Sequence, residues 1–190
     1  MPVPRQELEP GTRAAWRRWL ERHHATSTGV MLIYKKKNAP GEGLRYDDAL
    51  DEALCFGWID SKVGAYDATR RIQLFTPRRP KSAWSRRNKE HIERLTAEGR
   101  MTEAGWAAIR RARENGSWTL LDGPEALEVP DDLAQALDRS RIARTNFDAF
   151  PPGVRRSYLF WVAGAKRAET RTRRIEEVVR RAAANIKSPQ

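Results

Sequence analysis

LCFGWIDSKVGAYDATRRIQLFTPRRPKSAWSRRN, from Leu54 to Asn88, is the stretch of this 190-residue chain on which the fold turns. It opens as an apolar run, and Gly57 permits a tight backbone passage there. Phe56 to Ile59 reads as the connection from a preceding helix to a strand. Lys62 to Tyr66 and RRIQLFT, Arg70 to Thr76, then read as antiparallel partners joined by a turn at Asp67-Ala68-Thr69. Pro77 and Pro80 lack the backbone N–H that a further ladder needs, so the sheet stops and a basic segment begins.

N-terminal to this stretch, residues 1–10 read as a loose lead-in. Thr12 is placed to cap a helix in which Ala15, Trp16, Trp19 and Leu20 recur at three- and four-residue spacing. VMLIY, residues 30–34, has strand character and leads into a polar KKKN tail and the loop NAPGEG. Tyr46 and Asp47 then open a short amphipathic helix with Ala49, Leu50, Ala53 and Leu54 on one face. Its acidic residues Asp47, Asp48, Asp51 and Glu52 read as capping and solubilising groups.

C-terminal to it, the pattern is helical. Ser82 or Ser85 can cap a helix carrying Trp84, Ile92 and Leu95, and Thr102 caps the next, which runs to Asn115 and Gly116. Residues 117–130 read as a connection with a brief extended piece, and the remainder as short helices opened or punctuated by Pro130, Pro151 and Pro152. The expectation is an α+β protein: a small antiparallel sheet packed with helices, followed by a helical C-terminal region. Residues 1–80 form the α+β unit, 81–116 linking helices packed on it, and 117–190 the C-terminal helical region.

The formal net charge is +11, and residues 131–190 hold thirteen Lys/Arg against seven Asp/Glu, more than half of the surplus. A charge of this sign concentrates anions near the surface. The lone Cys55 excludes an intrachain disulfide and sits in the apolar run ALCFGWI, as a buried small hydrophobe rather than a nucleophile. No segment has the length and apolarity of a membrane span or the pattern of a leader peptide, so a cytoplasmic location is expected.

His23, His24 and His91 do not show a metal-ligand spacing, and the glycines do not compose a phosphate-binding loop, so no metal or cofactor is assigned. No catalytic set is assembled either. Between Arg70 and Arg94 stand seven arginines and two lysines against two glutamates. Arg71, Arg78, Arg79, Arg86 and Arg87 offer guanidinium forks to an anion, and Trp84 a ring to stack on it. Trp58, Asp60, Phe75 and Asn88 are the candidate pocket residues, Asp60 being the better placed carboxylate. The partner implied is an unknown protein or a small anionic ligand. The second reading is a nucleic-acid or nucleotide-binding module that uses the Arg70–Arg87 segment.

LRYDDALDEALCFGWIDSKV, the run QLFTPRRPKSAWSRRNKEHIERLTAEGRMTEAG, VPDDLAQAL and YLFWVAGAKRAETRTRRI together resemble the YdeI/OmpD-associated family, also described as bacteriocin-protection proteins. The resemblance implies a bacterial cytoplasmic protein, non-enzymatic, associated with stress from bacteriocins or cationic peptides. It supplies no catalytic residue or cofactor. One departure is visible: relatives read QRFTPR where this chain has Gln73, Leu74 and Phe75, so the resemblance implies that an arginine contact there is weakened or falls to Arg71.

Overall fold

A computed structural model describes residues 6–189, so residues 1–5 of the expected lead-in lie outside it. The chain divides into two compact units, Met1–Ser82 with Arg87–Gly116, and Ala83–Arg86 with Ser117–Gln190.

In the first unit the elements run β1 (Glu7–Leu8), α1 (Arg13–His23), β2 (Val30–Lys35), α2 (Tyr46–Cys55), β3 (Trp58–Ala65), β4 (Arg70–Pro77), α3 (Arg86–Ala97) and α4 (Glu103–Glu114), α3 taking its first residue from the other unit. The sheet order is β1-β2-β4-β3. β2, β4 and β3 are antiparallel as expected, but β1 adds a two-residue parallel edge inside the predicted lead-in, making the sheet mixed. A strand this short carries almost no sequence pattern; its pairing to Met31 and Leu32 creates it. β3 also begins at Trp58, where a connection was expected.

The helices form where caps and apolar spacing coincide. Thr12 Oγ1 accepts from the Ala15 N–H at the start of α1, which buries Trp16 and Leu20 one turn apart. Trp16 lies edge-on to Phe75, with centroids 5.9 Å apart, and stacks on Trp19, which meets Trp58. Buried indoles need acceptors, and they find them: Trp16 Nε1 donates to the Ala49 carbonyl and Trp58 Nε1 to that of His24.

α2 departs from the expected half-polar helix. Asp51 and Glu52 are buried, at 3% and 0% exposure. Glu52 accepts from Arg13 Nε at 2.6 Å, from Arg17 Nη1 at 2.8 Å and from Arg100. Asp51 Oδ1 binds Arg94 Nη2 and His91 Nδ1, each at 2.6 Å, while Arg13 Nη2 reaches its other oxygen. Arg13 also pairs with Asp48. Burial alone would raise the Asp51 pKa; hydrogen bonds from Arg94 and His91 and the charges of Arg94 and Arg13 reverse this and hold it below its ordinary value. Two desolvated carboxylates therefore tie α2 to α1, to α3 and to the α3–α4 connection.

α4 closes against the C-terminal end of α2 at two glycines. Gly57 has φ 71°, and a Cβ there would lie 2.9 Å from the Ala104 carbonyl oxygen. A Cβ on Gly105 would lie 2.9 Å from the Cys55 carbonyl carbon.

The second unit contains α5 (Asp122–Glu125), α6 (Asp131–Asp138), α7 (Arg141–Ala149), α8 (Pro152–Ala163) and α9 (Ala168–Ala183). The brief extended piece expected within 117–130 is instead the single turn of α5, flanked by turns. Ser140 caps α7, and Leu133, Leu137, Phe147, Tyr158, Leu159 and Val178 form the centre of one apolar core. Arg171 grips Asp132 with two hydrogen bonds, linking α9 to α6. Trp84 is 1% exposed and lies before α3, not within the predicted helix; its ring centroid is 5.1 Å from that of Trp118.

Glu52→Gln should lower unfolding stability by about 3 kcal/mol, read from the urea midpoint, because it leaves partly buried guanidinium groups without their counter-charge. Since the folded Asp51 pKa lies below the ordinary 3.8, its stabilisation is complete above that value and is lost as pH falls through the lower folded value; a loss of stability confined to pH above 5 would contradict the assignment. Gly105→Ala should cost about 1–3 kcal/mol by overpacking α4 against α2, and a thermal midpoint equal to wild type would refute that close approach.

Candidate functional site

One face of the sheet changes character along its length. Pairing sets Val30, Leu32 and Tyr34 of β2 beside Phe75, Gln73 and Arg71 of β4. At the Val30–Phe75 end this face is core, with Val30, Leu32 and Phe75 fully buried. At the Tyr34–Arg71 end it opens into a cleft of about 790 Å³. The register of β3 shifts between Asp60, opposite Phe75, and Val63, opposite Gln73. That irregularity carries an extra residue and so lets both Asp60 and Val63 serve the same face.

The floor is a closed hydrogen-bond network. Gln73, 5% exposed, donates from Nε2 to Asp60 Oδ2 at 2.6 Å and to the Ser61 carbonyl at 3.1 Å. Its Oε1 accepts from the Tyr34 hydroxyl at 2.5 Å. Tyr46 OH donates to Asp60 Oδ2 at 3.0 Å. Burial, with Asp60's charge, outweighs the opposing charge of Arg71 and pushes the Tyr34 pKa up to about 12. Burial and then Asp60 raise Tyr46 as well, against Arg87. Both hydroxyls keep their protons throughout the physiological range.

The walls are cationic. Lys35, Lys36, Lys37, Arg45, Arg71 and Arg87 line the cleft, with Asp47 the one carboxylate among its lining residues. Arg45 is a brace: Nη1 donates to the Lys36 and Lys37 carbonyls, and Nη2 to those of Ala39 and Gly41, fixing the loop that carries Lys37. Lys35 Nζ donates to Pro40 O and Lys36 Nζ to Ala68 O. Arg87 lies over the Tyr46 ring, 5.4 Å from its centroid, and pairs with Asp47 at 2.7 Å, both side chains being more than half exposed. A pair this open contributes little to stability and yields readily to another anion. Arg71 is exposed and makes no ion pair among the described residues. The cleft thus sets a ring of cationic side chains above a floor of amide, phenol and carboxylate groups.

The candidate residues separate into three groups. Arg71 and Arg87 come together at the cleft, with Asp60 beneath its floor. Trp58 and Phe75 are core, at 1% and 0% exposure, and Trp84 is buried against Trp118, so neither Phe75 nor Trp84 presents a face to a base. Arg78 is 7% exposed and reaches Ser82 Oγ; burial pulls its pKa down to about 9, against the charge of Asp60, and it stays protonated at neutral pH. Arg79 and Arg86 are exposed and Asn88 half-buried, none of them lining the cleft. Arg86 belongs to the second unit, where its N–H donates to Glu125. Position 74 alternates to the sheet face opposite Arg71, so Arg71 cannot supply a contact made from there. Tyr34, Gln73, Arg45 and the Lys35–Lys37 run escaped the sequence reading. The signal for the lysines was present, as three adjacent cations ending a buried strand.

Cys55 is fully buried, and burial with the nearby Glu52 charge raises its thiol pKa to about 11 against Arg17 and Arg100. Among the described residues no group of three or more His, Cys, Asp or Glu side chains is arranged to hold a metal, and no helix is long and apolar enough to cross a membrane.

Two family descriptions match the chain. Residues 8–108, more than half of its length, match a Domain of unknown function (DUF8412). Residues 126–185, spanning α6 to α9, match Bacteriocin-protection, YdeI or OmpD-Associated. No curated protein and no solved structure gives a significant match. The chain thus belongs to the DUF8412 family through the region that holds the cleft, and carries in its C-terminal helices the YdeI/OmpD-associated, bacteriocin-protection domain.

Proposed function

We propose that this protein is a cytoplasmic, non-catalytic anion-binding member of the bacteriocin-protection group, taking up a small anionic ligand in the cleft of its first unit. The observation that carries the reading is the excess of cations at the cleft: six line it against Asp47 alone, and Arg71 is exposed without an ion pair among the described residues. The braced loop under Lys37 favours binding further, because the backbone that carries this cation is held in place before the ligand arrives. A net charge of +11 opposes direct capture of a cationic peptide, so protection is indirect, through the ligand sensed or stored. The single cysteine fits a reducing compartment.

Titration of ¹⁵N-labelled protein with inorganic phosphate at low salt should move the amide signals of Lys37, Arg71, Gln73 and Arg87, and Arg71→Ala should weaken binding about 10–100-fold, the loss expected for a charge-assisted hydrogen bond. Absence of shifts at these positions at low ionic strength overturns the reading. A non-catalytic Cys55 has its own signature: in native protein the thiol should resist a disulfide-exchange reagent and react stoichiometrically only after unfolding. Rapid labelling of folded protein would reopen nucleophilic chemistry.

A further inference from the structure

The hydrogen-bond directions in the cleft floor restrict what its ligand can be, given that the cleft binds an anion as proposed above. Gln73 Nε2 faces two acceptors, Asp60 Oδ2 and the Ser61 carbonyl, and this fixes the amide orientation. Its Oε1 must therefore face Tyr34, whose hydroxyl hydrogen is committed to it. The Tyr46 hydroxyl hydrogen is committed to Asp60 in the same way. Every side-chain donor of this floor is already in use. What remains for a ligand is the acceptor capacity of the two phenolic oxygens, since a tyrosine hydroxyl accepts as well as donates.

The rim has the opposite character. Lys37, Arg71 and Arg87 offer donors and positive charge, and among the described residues only Arg87 of the three has a carboxylate partner, in the open pair with Asp47. A monoanion would leave most of this charge unanswered. A phosphate monoester carries a charge of about −1.5 to −2 at neutral pH and three strong acceptor oxygens, which suits an arginine fork and a lysine together. The cleft, at about 790 Å³, has room for a body beyond the phosphate. A body that meets an acceptor-only floor must bring its own donors.

We infer that the cleft binds a phosphate monoester of a polyol or sugar, with the phosphate between Lys37, Arg71 and Arg87 and the free hydroxyls donating to Tyr34 and Tyr46. The floor then discriminates by hydroxylation and the rim by charge. An unhydroxylated alkyl phosphate of the same length satisfies the rim alone.

Calorimetric titration of the full chain with glycerol 3-phosphate and with n-propyl phosphate separates the two contributions. The glycerol ester should bind about tenfold more tightly, the effect of two neutral hydrogen bonds, and Tyr46→Phe should narrow that ratio while leaving propyl phosphate affinity unchanged. Tyr34→Phe should do the same; should it fail to fold, the wild-type comparison and Tyr46→Phe still decide. Equal binding of both esters, lost in Arg71→Ala, overturns the hydroxyl preference while leaving an anion site standing. Tighter binding of a dicarboxylate such as succinate than of either ester overturns the phosphate assignment. If neither the esters nor inorganic phosphate bind at low salt, the anion-binding reading falls together with this one.

Discussion

The desolvation of two neighbouring carboxylates, Asp51 and Glu52, is the constraint on which the first unit is assembled. A buried carboxylate loses its water and must recover that free energy from donors aimed at its oxygens. The donors come from separate places in the chain: Arg13 and Arg17 from α1, His91 and Arg94 from α3, and Arg100 from the segment beyond it. Replacing the whole set by apolar side chains would change stability little, whereas an incomplete set leaves a charge stranded. The helices are therefore fixed in register as well as in contact. Tyr46 and Asp47, at the other end of α2, inherit their positions from this anchoring, and through them so does one wall of the cleft.

The sheet contributes the remaining walls by a graded use of a single face. Val30, Leu32 and Phe75 meet helices and exclude water; Tyr34, Gln73 and Arg71 continue the same rows where helical cover ends. Their chemistry changes in the same order, from aliphatic and aromatic, through a saturated amide-hydroxyl network, to an exposed cation. Little rearrangement is needed to form such a site, because its floor is an extension of the hydrophobic core and shares its rigidity.

Much of the architecture was legible where local chemistry and tertiary packing agree. Thr12 and Thr102 sit before apolar residues at helical spacing, and each caps a helix. The two strands flanking Asp67–Thr69 were readable because alternation and an aspartate turn coincide; Asp67 Oδ1 accepts from the Thr69 and Arg70 N–H groups. Asp51 and Glu52 were not, since an acidic pair on a short helix has the same local pattern whether it faces water or four distant arginines and a histidine. A clue was available in Arg13 and Arg17, one turn apart on the neighbouring helix and separated by the buried Trp16. The offset between Asp60 and Val63 arises from pairing with β4, so no property of β3 alone announces it. The basic segment was misleading for a related reason: its charges are close in sequence, but Arg71 and Arg87 face the cleft while Arg78 is buried and Trp84 is counted with the other unit.

That last division has a consequence for how the two regions can be inherited. Ala83–Arg86 is counted with Ser117–Gln190, although the residues on both sides of it fold with the first unit. Trp84 is buried with its ring beside that of Trp118, so the chain visits that unit, leaves it and returns. A single cut between the two matched family segments would strip the C-terminal helices of a tryptophan encoded about thirty residues before Trp118. A recombination event that exchanged either matched segment alone would therefore separate Trp84 from the unit it is counted with.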